Sequence, residues 1–306
     1  MVVLAGGTGG AKLARGMLDV VGPERLTVIA NTGDDIEIYG GYVSPDPDLV
    51  TFWLADRIDE RGWGLAEDTF AVMAGLRELG QDTWFNLGDR DLAIALRRAE
   101  QLNGGQRLTD ALAELTEALG VRARVLPMSD QPVRTRILAD GGVFGLQEFL
   151  IRQVRPDGSW PDIEDVQFQG AANASATPEV LSALEDAQAI VVGPSNPVIS
   201  IGPMLAIPSL RIGLLASAAP VVAVSPLIEG EVVKGPTEQC MRWRGAPPTV
   251  EGIATLYTGL VDGLVADERT DGLPVLVTDV LMADATGRRR LARETLEFAL
   301  SLGRRQ

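Results

Sequence analysis

The 306-residue chain predicts an α/β fold: a Rossmann-like, mainly parallel sheet with helices on both faces and a helical elaboration. Three observations predict it. Short apolar runs alternate with helical patterns along the chain, the order of βαβ units. The runs are continuously apolar, as strands covered on both faces must be. The first run, Val2 to Ala5, passes directly into Gly6-Gly7-Thr8-Gly9-Gly10, a turn that opens a helix after a strand.

In order, strands are expected at 2–5, 26–30, 83–86, 121–127, 189–193, 221–225 and 275–278. Each is rich in β-branched or aromatic residues, or in apolar ones, and bounded by turn formers. Helical patterns fall at 10–20, 49–59, 67–79, 90–102, 107–119, 177–187, 249–262 and 288–302. The crowding of helices after the second strand makes 36–120 a largely helical elaboration on the sheet. The polar, Pro/Gly-punctuated stretch 152–176 reads as a flap or hairpin insertion. No repeat or long linker interrupts the chain, so 1–306 reads as one domain.

Composition removes several functions. Forty-two acidic against 27 basic residues give a net charge of −15, which argues against nucleic acid or an anionic membrane as partner. Cys240 is the single cysteine, so no intramolecular disulfide forms and a reducing compartment fits. The chain has no signal-peptide pattern and no apolar run of membrane-spanning length, so a cytoplasmic protein is expected. It also has no histidine. That removes the commonest general base and transition-metal ligand and excludes a Ser-His-Asp triad. Any metal is expected to be oxygen-bound.

The glycine turn Gly6, Gly7, Thr8, Gly9, Gly10 carries two readings: a phosphate cradle at a helix N-terminus, or a tight strand–helix turn. Lys12 stands where the dinucleotide fingerprint has glycine, and Asn31 where it has an acid. A nicotinamide-dependent oxidoreductase is therefore disfavoured. The second strand ends in Asn31-Thr32-Gly33-Asp34-Asp35. Adjacent carboxylates repel unless a cation or proton relieves them, so Asp34 and Asp35 are candidate Mg²⁺ ligands or bases. Asp46 and Asp48 at the next helix entry read as further ligands or as local caps. In Leu87-Gly88-Asp89-Arg90-Asp91, Asp89 reads as an N-cap, and Arg90 opposes the helix dipole unless it faces an anion. Ser195 and Asn196 follow a buried strand, and Lys234 follows another. Ser129 and Arg134 mark a further polar strand end, with Arg134 a candidate anion binder.

The chain resembles the transferases that build the deazaflavin coenzyme factor 420, the phospholactate or phosphoenolpyruvate transferases. The resemblance runs nearly end to end: GGTGGAKLARG (6–16), NTGDD (31–35), VSPDPD (43–48), GWGL and DTF (62–70), TWFNLGDRD (83–91), LPMSDQPVRT (126–135), GPSNPVISIGP (193–203), APVVAVSP (219–226), KGP (234–236) and VTDVLM (277–282). It implies a donor in which guanosine diphosphate carries a three-carbon acid, lactyl or enolpyruvyl. It implies 7,8-didemethyl-8-hydroxy-5-deazariboflavin (Fo) as acceptor, GMP as leaving group, Mg²⁺ as cofactor and a homodimer. Relatives usually carry histidine where this chain has Tyr42, so no role carries over at that position. A more distant, non-enzymatic group, regulators that bind nucleotide sugars, also opens with a glycine turn but lacks the LGDRD and MSDxPVRT segments.

Together these give a working site. Gly6 to Gly10, Lys12, Ser195, Asn196 and Lys234 are expected to hold the donor diphosphate and guanosine. Asp34, Asp35 and Asp46 are expected around the metal. Asp48 and Arg90 are expected to converge on the deazaflavin or its ribityl chain, with Ser129 and Arg134 on the acceptor or the donor acid.

Overall fold

A computed structural model of the chain describes residues 1–233 and 235–304. Lys234 lies outside the described residues. The central sheet is built from β1 (Val2–Ala5), β2 (Thr27–Ala30), β5 (Arg124–Pro127), β9 (Ile190–Val192), β10 (Val221–Val224), β13 (Gly263–Ala266) and β14 (Val275–Val277). Its order is β14-β13-β10-β9-β1-β2-β5, with every neighbouring pair parallel. The chain moves outward from β1 through β2 to β5, then crosses back to β9 and moves outward the other way. That reversal puts a topological switch point between β1 and β9, where open sheets bind ligands at strand C-termini.

Alternate side chains feed two cores. Val2 and Leu4 pack with Ile29, Ile190 and the helices α7 (Pro178–Glu185), α9 (Pro208–Ala216) and α11 (Val250–Leu256). Val3 and Ala5 pack with Val28, Val191 and the helices α1 (Gly7–Val21), α2 (Pro45–Leu54), α5 (Leu108–Ala118) and α12 (Ala285–Ser301). Burial on both faces is why these strands read as unbroken apolar runs.

The expected elaboration forms as a hairpin, β3 (Ile36–Ile38) and β4 (Gly41–Val43), followed by α2, α3 (Ala71–Glu78), α4 (Asp89–Asn103) and α5. Its own core joins Val43, Met73, Leu87, Leu92 and Ala95. The strand expected at 83–86 does not form; no partner strand lies beside it, and Trp84 stacks on Phe85 at 5.5 Å. Asp89 does not cap its own helix. Its carboxylate accepts the N–H groups of Ala71 and Val72 at the start of α3, while Asp68 accepts those of Arg90 and Asp91 at the start of α4. The two helices cap one another.

The expected flap is part of a larger unit. β6 (Arg134–Ala139), β7 (Gly142–Gly145) and β8 (Ile163–Gln169) form an antiparallel sheet in the order β7-β6-β8, with α6 (Leu146–Arg152) between β7 and β8. Ile137 and Phe149 of this unit pack on Val198 and Ile199 of the loop after β9, together with Cys240 on α10 (Thr237–Trp243). The small sheet therefore leans on the switch-point loop.

Glycine has a steric role there. A Cβ on Gly9 would lie 2.0 Å from the Pro194 carbonyl oxygen, and one on Gly193 would lie 2.9 Å from the Gly10 Cα. The α1 entrance and the loop after β9 thus touch backbone to backbone. Gly9→Ala is expected to lower stability by about 1–3 kcal/mol, the usual cost of overpacking a rigid contact. The urea midpoint measures it; a wild-type midpoint would contradict the close approach.

Candidate active site

A cavity of about 810 Å³ opens at the C-terminal ends of β1, β2, β9 and β10. Its floor is acidic. Asp34 and Asp46 both line it and both are buried. The first N–H of α1, at Gly7, donates to Asp46 Oδ1 at 2.6 Å, and Asn31 Nδ2 donates to Asp46 Oδ2 at 2.9 Å. The positive end of α1 therefore already faces one carboxylate of the chain itself. Asn31, which replaces the acid of a dinucleotide site, holds that carboxylate and also accepts the Gly33 N–H.

Asp34 Oδ2 accepts Gln147 Nε2 at 2.7 Å, whereas Asp34 Oδ1 is buried with no partner among the described residues. Burial, and then the negative Asp46 and Asp35, push the Asp34 carboxyl well above the usual range. Burial also raises Asp46 to about 6. No group of three acidic, cysteine or histidine side chains among the described residues forms a complete metal cage. Two carboxylates with an open oxygen nevertheless suit Mg²⁺, which is often held by one or two carboxylates plus substrate phosphate.

Asp35 does not join this floor. Its oxygens accept Ser44 Oγ at 2.7 Å and the Tyr42 hydroxyl at 2.9 Å, behind the cavity wall. Burial raises it to about 7 against the pull of Arg134. Arg134 donates to Glu37 and to the Tyr42 hydroxyl, so it braces Tyr42 and lines no part of this cavity. Tyr42, at the departure from the family pattern, thus links the buried Asp35 carboxyl to the half-buried Arg134 guanidinium. Ser129 is also structural: its hydroxyl donates to the Ser175 carbonyl, away from the cavity.

Gly6, Gly7, Thr8, Gly9, Lys12, Ser195 and Asn196 line the cavity; Gly10 lies just behind, against Ser195 and Ala5. Lys12 Nζ reaches the Met282 carbonyl at 3.5 Å and sits 5.8 Å from the Trp53 ring centre. Ser195 donates to the Gly6 carbonyl and so ties the loop after β9 to the glycine turn, whereas Asn196 Oδ1 accepts the Val198 and Ile199 N–H groups and shapes its own loop.

Asp48 and Arg90 do not converge. Arg90 is exposed and lines no part of the cavity, whereas Asp48 lines it and is paired with the buried Arg98. Arg98 also donates to the Tyr42 carbonyl at 3.0 Å. Arg98 repeats at the helical spacing of the buried Leu92 and Ala95, and that spacing could have found it. Asp91, beside Arg90, turns into the cavity; burial, then Asp48 and Asp68, raise it to about 7. Trp63, Trp84, Phe85, Leu150 and Trp160 also line the cavity, giving it a broad apolar wall.

Comparison with known proteins fits this geometry. The sequence model of the family described as 2-phospho-L-lactate transferase CofD matches residues 1–280. A 2-phospho-L-lactate transferase of Methanosarcina mazei is 38% identical over 88% of this chain and 87% of its own length. A phosphoenolpyruvate transferase of Kitasatospora aureofaciens is 39% identical over 98% of this chain and 97% of its own. The crystal structure of a UPF0052-family protein from Bacillus halodurans superposes with a TM-score of 0.62 at 17% identity, covering 96% of this chain and 99% of that one. It shares the fold.

The buried floor predicts a pH signature. A carboxyl raised on folding contributes its stability below the unfolded value, near pH 4, and loses it as pH rises through the folded value. Asp34→Asn removes that charge. Without added metal, the variant is expected to melt above wild type at about pH 8, the gap closing toward about pH 4. Thermal melts across pH check it; a variant less stable than wild type at the higher pH would contradict the assignment.

Proposed function

This chain belongs to the 2-phospho-L-lactate transferase CofD family, and on that premise we propose a specific reaction for it. A phospho-three-carbon-acid group passes from a guanosine-diphosphate-linked donor to the ribityl hydroxyl of Fo, releasing GMP, in coenzyme F420 biosynthesis. The observation that carries the reading is a single cavity lined by two unlike sets of residues. The glycine turn, Lys12 and the carboxylate floor suit a nucleotide diphosphate. The wall of Trp63, Trp84 and Phe85 suits a flat deazaflavin ring.

The chemistry asks mainly for positioning and charge neutralisation. The ribityl oxygen forms a bond to the acid-bearing phosphorus while the bond to the GMP oxygen breaks. The hydroxyl proton leaves to a cavity carboxylate, and Asp91, raised to about 7, is matched to hold a proton near neutral pH. The α1 N-terminus draws the donor phosphates in, yet Asp46 at its mouth repels them. Mg²⁺ held by Asp34 and Asp46 would supply the positive charge that reconciles phosphate with carboxylate. Asp35, Tyr42, Arg134 and Arg98 keep the wall beneath rigid.

Asp46→Asn is expected to lower kcat by about 10²-fold or more, the scale of losing one preorganised electrostatic contact, and to melt somewhat below wild type, because both Asp46 oxygens accept hydrogen bonds and asparagine keeps one acceptor. The test is mass spectrometry of products from Fo with each candidate donor, with and without EDTA. Formation of the phosphodiester with GMP, abolished by EDTA, is the expected result. GDP-linked donor left unconsumed with Mg²⁺ and Fo present would overturn the reaction, and full turnover in EDTA would overturn the metal role.

A further inference from the structure

The contact between Gln147 and Asp34 joins parts of the chain 113 residues apart. Gln147 lies in the first turn of α6, on the small antiparallel sheet unit, and Asp34 lies in the turn that follows β2 of the central sheet. Gln147 lines the cavity beside Leu146, Leu150 and Ile151 of the same helix. Its amide takes one oxygen of Asp34, at 2.7 Å, and the other oxygen is the buried one without a partner.

The choice of an amide has a consequence. A lysine or arginine at this place would neutralise Asp34 and compete with a bound cation. A neutral donor leaves the carboxylate its charge but fixes its plane. It also occupies Oδ2, so that Oδ1 is the oxygen left without a partner among the described residues. The partners of α6 hold the amide in place: Phe149 is fully buried against Ile137 and Val198, so the helix is seated on the switch-point loop.

We propose that Gln147 is the positioning residue for Asp34, orienting its carboxylate so that the open oxygen Oδ1 meets a divalent cation. The inference rests on the metal-dependent reading above and adds the residue that sets the geometry of that site. It also ties the metal to the neighbouring chamber. Leu146, Leu150 and Ile151 wall the space assigned to the deazaflavin, so a ring seated there bears on the helix that carries the amide. By linkage, whatever the acceptor does to cation affinity, the cation does to acceptor affinity.

The test is a Mg²⁺ titration of the full chain with GDP present, read as the rise in melting temperature and repeated with Fo added. No turnover is needed for this readout. Gln147→Ala is expected to move the Mg²⁺ midpoint up by about five- to tenfold, the scale of one lost hydrogen bond at a preorganised site. Gln147→Leu, which keeps the side-chain bulk and the packing of α6, is expected to do the same. Glu148→Ala, on the same helix turn, serves as the control and is expected to leave the midpoint at the wild-type value. Fo is expected to shift the wild-type midpoint and to leave that of Gln147→Ala unmoved. A clear Mg²⁺ response in wild type with the same midpoint in both Gln147 variants would overturn the positioning role alone. No Mg²⁺ response in wild type would overturn the metal reading and this inference together.

Discussion

The structure is organised around a cost: two carboxylates, Asp34 and Asp46, buried side by side at the mouth of a helix. A buried carboxylate is unfavourable unless paired or protonated. Asp46 is relieved by the Gly7 N–H and the Asn31 amide. Asp34 takes the Gln147 amide on one oxygen, and the other has no partner among the described residues. Much of the surrounding sequence serves to keep this arrangement from relaxing. Asp35 is tied to Ser44 and Tyr42, Asp48 is locked to Arg98, and Arg134 braces Tyr42. The wall is a lattice of hydrogen bonds and ion pairs around Asp35, Asp48, Arg98 and Arg134. Oδ1 of Asp34 is the oxygen left bare for an external cation.

The glycine turn takes on a different meaning in this setting. Gly9, Gly10 and Gly193 let the α1 entrance and the loop after β9 approach backbone to backbone, which closes the switch point into one side of the cavity. The cradle is therefore made by two loops in contact, and the first N–H of the helix is already engaged by Asp46. The small antiparallel sheet supplies the opposite side through α6, and the helical elaboration supplies the aromatic wall. Three parts of the chain distant in sequence meet over the carboxylates.

The sheet was legible because its strands are buried on both faces and so appear as unbroken apolar runs; Val2–Ala5 was read to the residue. The antiparallel strands were not. Arg134–Ala139 alternates between buried and half-buried positions, and its polar positions resemble a loop. Trp84 and Phe85 looked like a strand because aromatic residues favour strands; here they are aromatic for the cavity they line. The acidic floor was visible as a motif, but the split between neighbours was not. Asp34 and Asp35 differ by which way a tight turn points them, and no periodicity governs a turn. At α4, the dipole conflict drew attention to Arg90, whereas the stripe of Asp91, Ala95 and Arg98 marked the inward face.

The central claim is that the bare Oδ1 of Asp34, together with Asp46, lets a divalent ion occupy the floor beside the α1 N-terminus. Crystals grown with GDP and Mn²⁺ in place of Mg²⁺ test this directly, because manganese is located by its anomalous scattering. The account predicts one peak coordinated by Asp34 and Asp46 and by a phosphate oxygen of the nucleotide. A peak at Asp35, or nucleotide bound at the floor with no metal beside these two carboxylates, would contradict it.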